Sequence, residues 1–421
     1  MLNPAELQIE LFCKGLKIDD SCDLMGDARH VARTRAGLGS GLEMVIPGDL
    51  KDLWLNVPVE EDFVDSTPFT LKKRVDDYFV HSQKDDHDYK IVIPGEPKWY
   101  EEETTSGIKM AQVGVLQGTY LGIYVSNSCM YWYGDEPGNC KFCTTGANVG
   151  VNEVAEKAVD DVVEVALRAK EESGVTFCHF NTGYQNGRGL EQLAPYVKAI
   201  KERVGLLTGI QCVPVVEKEH WQYDAMLDLG ADHFSFCYEF HNPEYFAKYL
   251  PGKEATVGQD AFFKSLEYCQ GKMPKGACSG EIIAGVEPIE DTIAAIDYIT
   301  GVGAFPTVCI FRPVIGSDME DHPSPEYDEM KRVMTHMYRA CRKAGIPMGL
   351  APNIEVSLIV NPDDAKYLVP RDLSFQLHQV KMRLLKKLAG LKFRHELKPH
   401  AVRGDLDIWN QRRSKRTANH A

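Results

Sequence analysis

The chain has 421 residues, 44% of them hydrophobic, with a net charge of −14 and a pI near 5.4. Acidity on this scale argues against nucleic acid or an anionic membrane as partner, and no apolar run approaches the ~18 residues of a membrane span. The opening MLNPAELQIELF has neither the basic start nor the small-residue cleavage site of a secretory signal. The expected setting is therefore cytoplasmic, where twelve cysteines are metal ligands or buried apolar residues rather than disulfides.

Residues 1–110 are charged, with a polar stretch at Asp76–Asp88 and one predicted strand at Lys90–Pro94; they form an N-terminal extension. From Tyr120 onward, short apolar runs alternate with stretches of helical periodicity. Strands are predicted at Tyr120–Ser126, Thr176–Phe180, Gly209–Val215, His233–Glu239, Ala277–Ala284, Thr307–Arg312 and Pro347–Leu350. Helices are predicted at Glu153–Glu172, Leu190–Val204, Lys218–Leu229, Gln259–Cys269, Ile289–Val302 and Pro325–Ala344. Such repetition builds a parallel sheet with helical crossovers. Residues 111–350 thus read as a partial or complete (β/α) barrel of the TIM type, with its chemistry at the C-terminal ends of the strands. Residues 351–421 follow as a C-terminal extension: a strand-like Ile354–Val360, a helix start at Asn361, a helix around Phe375–Leu391 and a frayed basic tail, Arg412–Arg416.

The first barrel strand runs into NSCMYWYGDEPGNCKFCTTG, which sets Cys129, Cys140 and Cys143 in a Cys-x10-Cys-x2-Cys pattern. Three thiolates in one loop can bind three irons of a cubane and leave the fourth iron open. Structural zinc is the competing reading, but it wants four ligands and no fourth Cys or His lies near the loop. Three more cysteines fall inside predicted strands: Cys178, Cys212 and Cys278. Any one of them could be core packing. Together, one per strand, they could point to the barrel axis at a similar height.

The ordered set FCHF, GIQC, HNPEYF, GACSGEIIAGVE and RPVIGS resembles biotin synthase and its neighbours in the radical S-adenosylmethionine (SAM) superfamily, over roughly residues 120–350. The resemblance implies a [4Fe–4S] cluster on Cys129, Cys140 and Cys143, with SAM bound to it and cleaved to a 5′-deoxyadenosyl radical. It implies that Phe142 and Ile283 meet the adenine, that Glu239 bonds the ribose, that Asn181 approaches the methionyl amino group and that Glu287 lies near SAM. It further implies an auxiliary iron–sulfur cluster on Cys178, Cys212 and Cys278, a source of sulfur for a small organic substrate. An electron donor such as flavodoxin or ferredoxin goes with that chemistry, and a homodimer is left open.

The departures are informative. The family spacing is usually Cys-x3-Cys-x2-Cys, and the ten-residue first gap differs from it. Biotin synthase has an arginine as fourth ligand of the auxiliary cluster, where this chain has LAPN, ending at Asn353. Two asparagines that hold the ureido ring of dethiobiotin are replaced by Cys237 and Cys309, so dethiobiotin is not the expected substrate. Cys237 and Cys309 are either further ligands of a larger auxiliary cluster or apolar repacking. Arg312 reads equally as a carboxylate or phosphate binder and as half of a surface ion pair. His220 is assigned to a helix surface. Tyr131–Tyr133 either line the pocket or anchor the loop. Radical chemistry without sulfur insertion, and a zinc-stabilised scaffold, remain as competing functions.

Overall fold

The computed structural model describes residues 1–22, 24, 41–126, 129–132, 138–148, 150 and 152–418. The strands are β1 (Lys17–Ile18), β2 (Leu42–Ile46), β3 (Leu53–Val57), β4 (Phe69–Arg74), β5 (Asp77–Ser82), β6 (His87–Ile91), β7 (Val115–Gln117), β8 (Tyr120–Ser126), β9 (Phe177–Thr182), β10 (Leu207–Gln211), β11 (His233–Glu239), β12 (Cys278–Ala284) and β13 (Phe305–Ile310). Strands β7 to β13 form one sheet in sequence order. β7 pairs antiparallel with β8, and every later neighbour is parallel. Among the described residues β13 does not close onto β7. The fold is an α/β partial barrel.

The predicted βα series recurs with small shifts of boundary. Val159–Ser173, Gly189–Ala199, Trp221–Asp228, Gln259–Lys272 and Ile289–Val302 lie in the five crossovers, and Tyr327–Ala344 follows the last strand. The first stops at Gly174 and the last at Gly345, both left-handed (φ 64° and 67°), a conformation glycine takes without a Cβ penalty. Two predicted strands are absent. Pro347–Leu350 and Ile354–Val360 lie in turns and irregular chain and are only partly buried, although the outer edge of β13 is unpaired among the described residues.

Alternation along the strands decides which side chains can act. Phe177, His179 and Asn181 of β9 line the interior, as do Ser235 and Cys237 of β11, Ser279, Glu281 and Ile283 of β12, and Thr307 and Cys309 of β13. The intervening residues face the helices. A Cβ at Gly280 would meet Ile299 of the outer helix layer, whereas one at Gly209 would meet the rings of Phe177 and His179 inside. Strand periodicity of two thus separates an apolar outer core from a polar lumen.

The N-terminal extension is built of more strand than predicted: a sheet in the order β1-β4-β5-β6 and a β2-β3 hairpin. The hairpin is tied to the barrel by Arg312, whose buried guanidinium donates to the Asn56 carbonyl oxygen at 2.5 Å and to Asn56 Oδ1 at 3.2 Å. Arg312 is therefore a structural tie rather than half of a surface ion pair. Lys51, on the same hairpin, reaches Asp364 at 2.8 Å and Glu355 at 2.5 Å. One continuous apolar core runs through both parts.

Candidate active site

The interior of the half-barrel is a cavity of about 710 Å3. Cys129, Cys140 and Cys143 all line it, with Phe142 between the last two. They sit past the C-terminal end of β8, where the barrel argument places chemistry. The long gap between Cys129 and Cys140 is docked rather than loose at its described ends. Lys141 N–H donates to the Tyr249 carbonyl (2.9 Å), Gly252 N–H to the Gly138 carbonyl (3.0 Å), and the Tyr131 and Thr256 hydroxyls meet at 2.6 Å. Tyr131 also stacks on Tyr184 with ring centroids 4.4 Å apart. Tyr131 therefore anchors the loop and lines the cavity at once; Tyr133 lies outside the described residues. Gly183 permits the closest approach: a Cβ there would stand 2.5 Å from Cys129 Cβ and 2.6 Å from the Tyr124 hydroxyl.

The donor set suits a cluster. Tyr184 N–H donates to Cys129 Sγ and Thr145 N–H to Cys143 Sγ, each at 3.4 Å, the backbone contacts that a thiolate ligand accepts. Burial pushes the Cys129 thiol up and that of Cys140 to about 12, and a bound metal would deprotonate both. Among the described residues no three His, Cys, Asp or Glu side chains are grouped to hold a single metal ion.

Lys253 is the site residue that sequence reasoning missed. It follows Gly252, whose lack of a side chain lets the short helix Pro251–Thr256 press against Gly138 and Tyr131. Its ammonium donates to the Cys237 carbonyl at 2.7 Å and to Glu239 Oε1 at 3.0 Å. Burial disfavours that charge, but the Glu239 carboxylate outweighs it and holds the lysine protonated. Only LPGK in the sequence marks it, with no periodicity to single it out.

The other expected cofactor contacts divide. Glu239 lines the cavity at the end of β11 with a left-handed backbone (φ 65°), which turns its carboxylate toward Lys253. Asn181 and Ile283 line it too, and Asn181 Oδ1 is buried without a partner, as is His179 Nε2. Glu287 does not line it. Its carboxylate accepts from the backbone N–H of His241 and of Asn242, both at 2.9 Å, and burial raises it to about 7. Glu287 positions the turn after Glu239 instead.

The strand cysteines are arranged otherwise than expected. Cys178 and Cys278 are fully buried on the helix-facing side of β9 and β12, where alternation puts them; Cys278 Sγ packs 3.5 Å from Met273 Sδ. Cys212, just past β10, touches the cavity edge. Alternation therefore does not converge these three on the barrel axis. Asn353 lies elsewhere again, its amide donating to the Gly174 carbonyl at 2.8 Å. The lumen instead receives Cys237 and Cys309, either side of Glu281. Cys309 Sγ stands 3.8 Å from Glu281 Oε1, and the Ser235 hydroxyl donates to Glu281 Oε2 at 3.0 Å. Burial, then Glu239, lifts Glu281 to about 7. Further from the cysteine loop, Ser279 bonds Ser235 (3.0 Å) and His233 (3.2 Å), and Tyr120, Phe177, His179 and His233 form a ring cluster. His220 is not a surface residue; it is buried and bonds Ser265 at 3.2 Å.

No family model matches the chain. Over 256 residues it is 25% identical to biotin synthase of Afipia carboxidovorans, covering 60% of this chain and 65% of that protein. Over 113 residues it is 26% identical to bacteriochlorophyllide c C-7(1)-hydroxylase of Chlorobaculum limnaeum, 27% of either chain. The chain thus matches less than two thirds of the length of each. Among solved structures, SuiB of Streptococcus suis bound to S-adenosylmethionine aligns with a TM-score of 0.39 at 14% identity, covering 54% of this chain and 48% of that one. The FeFe-hydrogenase maturase HydG of Carboxydothermus hydrogenoformans aligns at 0.40 and 15%, covering 53% and 51%. These superpositions are too loose to bear on the site. The geometry gives a three-cysteine rim over a half-barrel cavity, and the sequence comparison gives about one-quarter identity to a biotin synthase over 256 residues.

Proposed function

We propose that the protein is a radical SAM enzyme acting on a small organic molecule. The observation that carries this is the convergence of Cys129, Cys140 and Cys143 on the rim of one half-barrel cavity, beside Glu239 and Lys253. The three thiolates would hold a [4Fe–4S] cluster; with SAM bound, that group supplies reductive cleavage to a 5′-deoxyadenosyl radical. The chain's own residues do the rest. Tyr184 and Thr145 N–H groups face the sulfurs, Glu239 offers an acceptor for a hydroxyl pair, and the buried Lys253 ammonium offsets anionic charge near Cys140. Asn181 and His179 line the cavity, and Asn181 Oδ1 and His179 Nε2 are buried without a partner.

Two outcomes for the substrate remain in play: sulfur insertion from an auxiliary cluster, and rearrangement, coupling or cleavage without it. The second is favoured, because Cys178 and Cys278 face the helix layer. The chemistry around Cys237, Glu281 and Cys309 then forms substrate wall. The test is iron and sulfide per chain after anaerobic reconstitution. The proposal expects one cluster in wild type, the same content in a Cys178→Ala/Cys278→Ala variant, and none in Cys129→Ala/Cys140→Ala/Cys143→Ala. Iron retained without the loop cysteines would refute the site. Half the iron lost with Cys178 and Cys278 would restore the auxiliary cluster.

A further inference from the structure

The chain's negative charge is not evenly spread. Residues 371–418 carry thirteen Lys and Arg against four Asp and Glu, net +9 in a protein of net −14. The centre of this basic segment is the 24-residue helix Leu373–Glu396, started by Asp372, whose side chain accepts from Phe375 N–H at 2.8 Å. At 1.5 Å per residue it is about 36 Å long.

One face of this helix belongs to the body. Phe375 is buried, His378 meets the Tyr338 ring edge-on, Phe393 lines the far end of the cavity and Glu396 reaches Lys201 at 3.4 Å. The opposite face carries Leu373, Leu377, Val380, Leu384, Leu388 and Leu391, each between 52% and 75% exposed. Spacings of three and four place all six on one stripe, roughly 600 Å2 of aliphatic surface, as large as the biggest patch on a typical monomer. At 100° per residue, Lys381 and Lys392 border one side of that stripe and Arg383, Lys387 and Arg394 the other. No Asp or Glu occurs between Asp372 and Glu396.

We propose that this helix docks the protein on an anionic membrane surface. A second copy laying its stripe on the first would oppose five cations with five cations. It would also offer each partner less than the ~800 Å2 of a standard interface. A bilayer resolves both problems: the apolar ridge enters the headgroup boundary while the flanking cations extend to lipid phosphates. On the opposite side Phe375 is buried and Met382, Leu385 and Phe393 are half-buried, so the stripe stands out from the body, which suits a soft plane better than an enclosing groove. The acidic remainder does not forbid contact, since charges beyond about 8 Å are screened at physiological salt.

The experiment is co-sedimentation of the full chain with phosphatidylcholine vesicles, with and without phosphatidylglycerol. Light scattering on the free protein accompanies it. Binding is expected only with phosphatidylglycerol, and a rise in salt toward 1 M, where the screening length is about 3 Å, should release it. Leu377→Gln/Leu384→Gln/Leu391→Gln should lose binding at least roughly tenfold with an unchanged melting curve, because those side chains contact little of the body. Lys381→Gln/Lys387→Gln/Lys392→Gln should lose the phosphatidylglycerol dependence. Equal binding to both vesicle types, or undiminished binding by the leucine variant, would overturn the proposal. So would a dimer that the leucine variant dissolves, which makes a second copy the occupant. No vesicle binding at all would also overturn it.

Discussion

Lys253→Met should destabilise the metal-free protein by about 3–5 kcal/mol, the cost of leaving one member of a buried ion pair without its partner. The geometry sets that scale. Both side chains are close to fully buried, at 9% and 11% exposed, and 3.0 Å apart. The variant leaves the Glu239 carboxylate facing Cys140 and Glu281 with no cation, and removes the donor to the Cys237 carbonyl. That lost charge-assisted bond alone is worth about 1.5–3 kcal/mol. Glu239 also holds a left-handed backbone, which costs on the order of 1–3 kcal/mol and persists only while its surroundings enforce it. The assay is urea denaturation followed by circular dichroism, run as a double-mutant cycle with Glu239→Gln. Neutralising both partners should recover part of the loss, a coupling of about 2 kcal/mol and well outside the ~0.5 kcal/mol of independent sites. A single-variant loss under about 1 kcal/mol, the range of an exposed pair, or strict additivity, would refute a buried pair at the cysteine loop.

Gly183→Ala should keep the fold and lose iron uptake, because its Cβ would press on Cys129; overpacking of this kind costs about 1–3 kcal/mol. Iron content against melting temperature checks it, and normal loading would contradict the close approach. Arg312→Met should expose the β2-β3 hairpin to limited proteolysis while the barrel persists, since Asn56 loses two bonds from that guanidinium. Stability should also fall in acid. Burial lowers His233 to about 4 from 6.5, so the unfolded chain binds a proton that the folded chain refuses. Stability is intact above pH 6.5 and is lost as pH falls toward 4, by about 3 kcal/mol at 1.36 kcal/mol per unit. A His233→Asn variant should flatten that part of the pH–stability curve.

The barrel was legible because its elements are long and periodic. Tyr120–Ser126, His233–Glu239 and Ile289–Val302 have the boundaries their patterns predict. Pro347–Leu350 and Ile354–Val360 misled because short apolar runs read alike in strands and in irregular chain. For the site, Cys129, Cys140 and Cys143 could be found by type and spacing. Facing could not: Cys178 and Cys309 both sit inside strands, and only the register decides that one packs on helices and the other lines the lumen. Lys253 was out of reach because its role depends on Gly252 meeting Gly138, a contact between residues more than a hundred positions apart. The net charge hid its own segregation into the Leu373–Glu396 helix.

The most direct test of radical SAM chemistry is the fate of SAM itself. Protein reconstituted anaerobically with iron and sulfide is incubated with SAM and a strong reductant, and 5′-deoxyadenosine is measured by mass spectrometry. Wild type should form it, while Cys129→Ala/Cys140→Ala/Cys143→Ala should form none. A wild-type protein that holds its cluster and binds SAM, yet releases no 5′-deoxyadenosine, would contradict the proposed function.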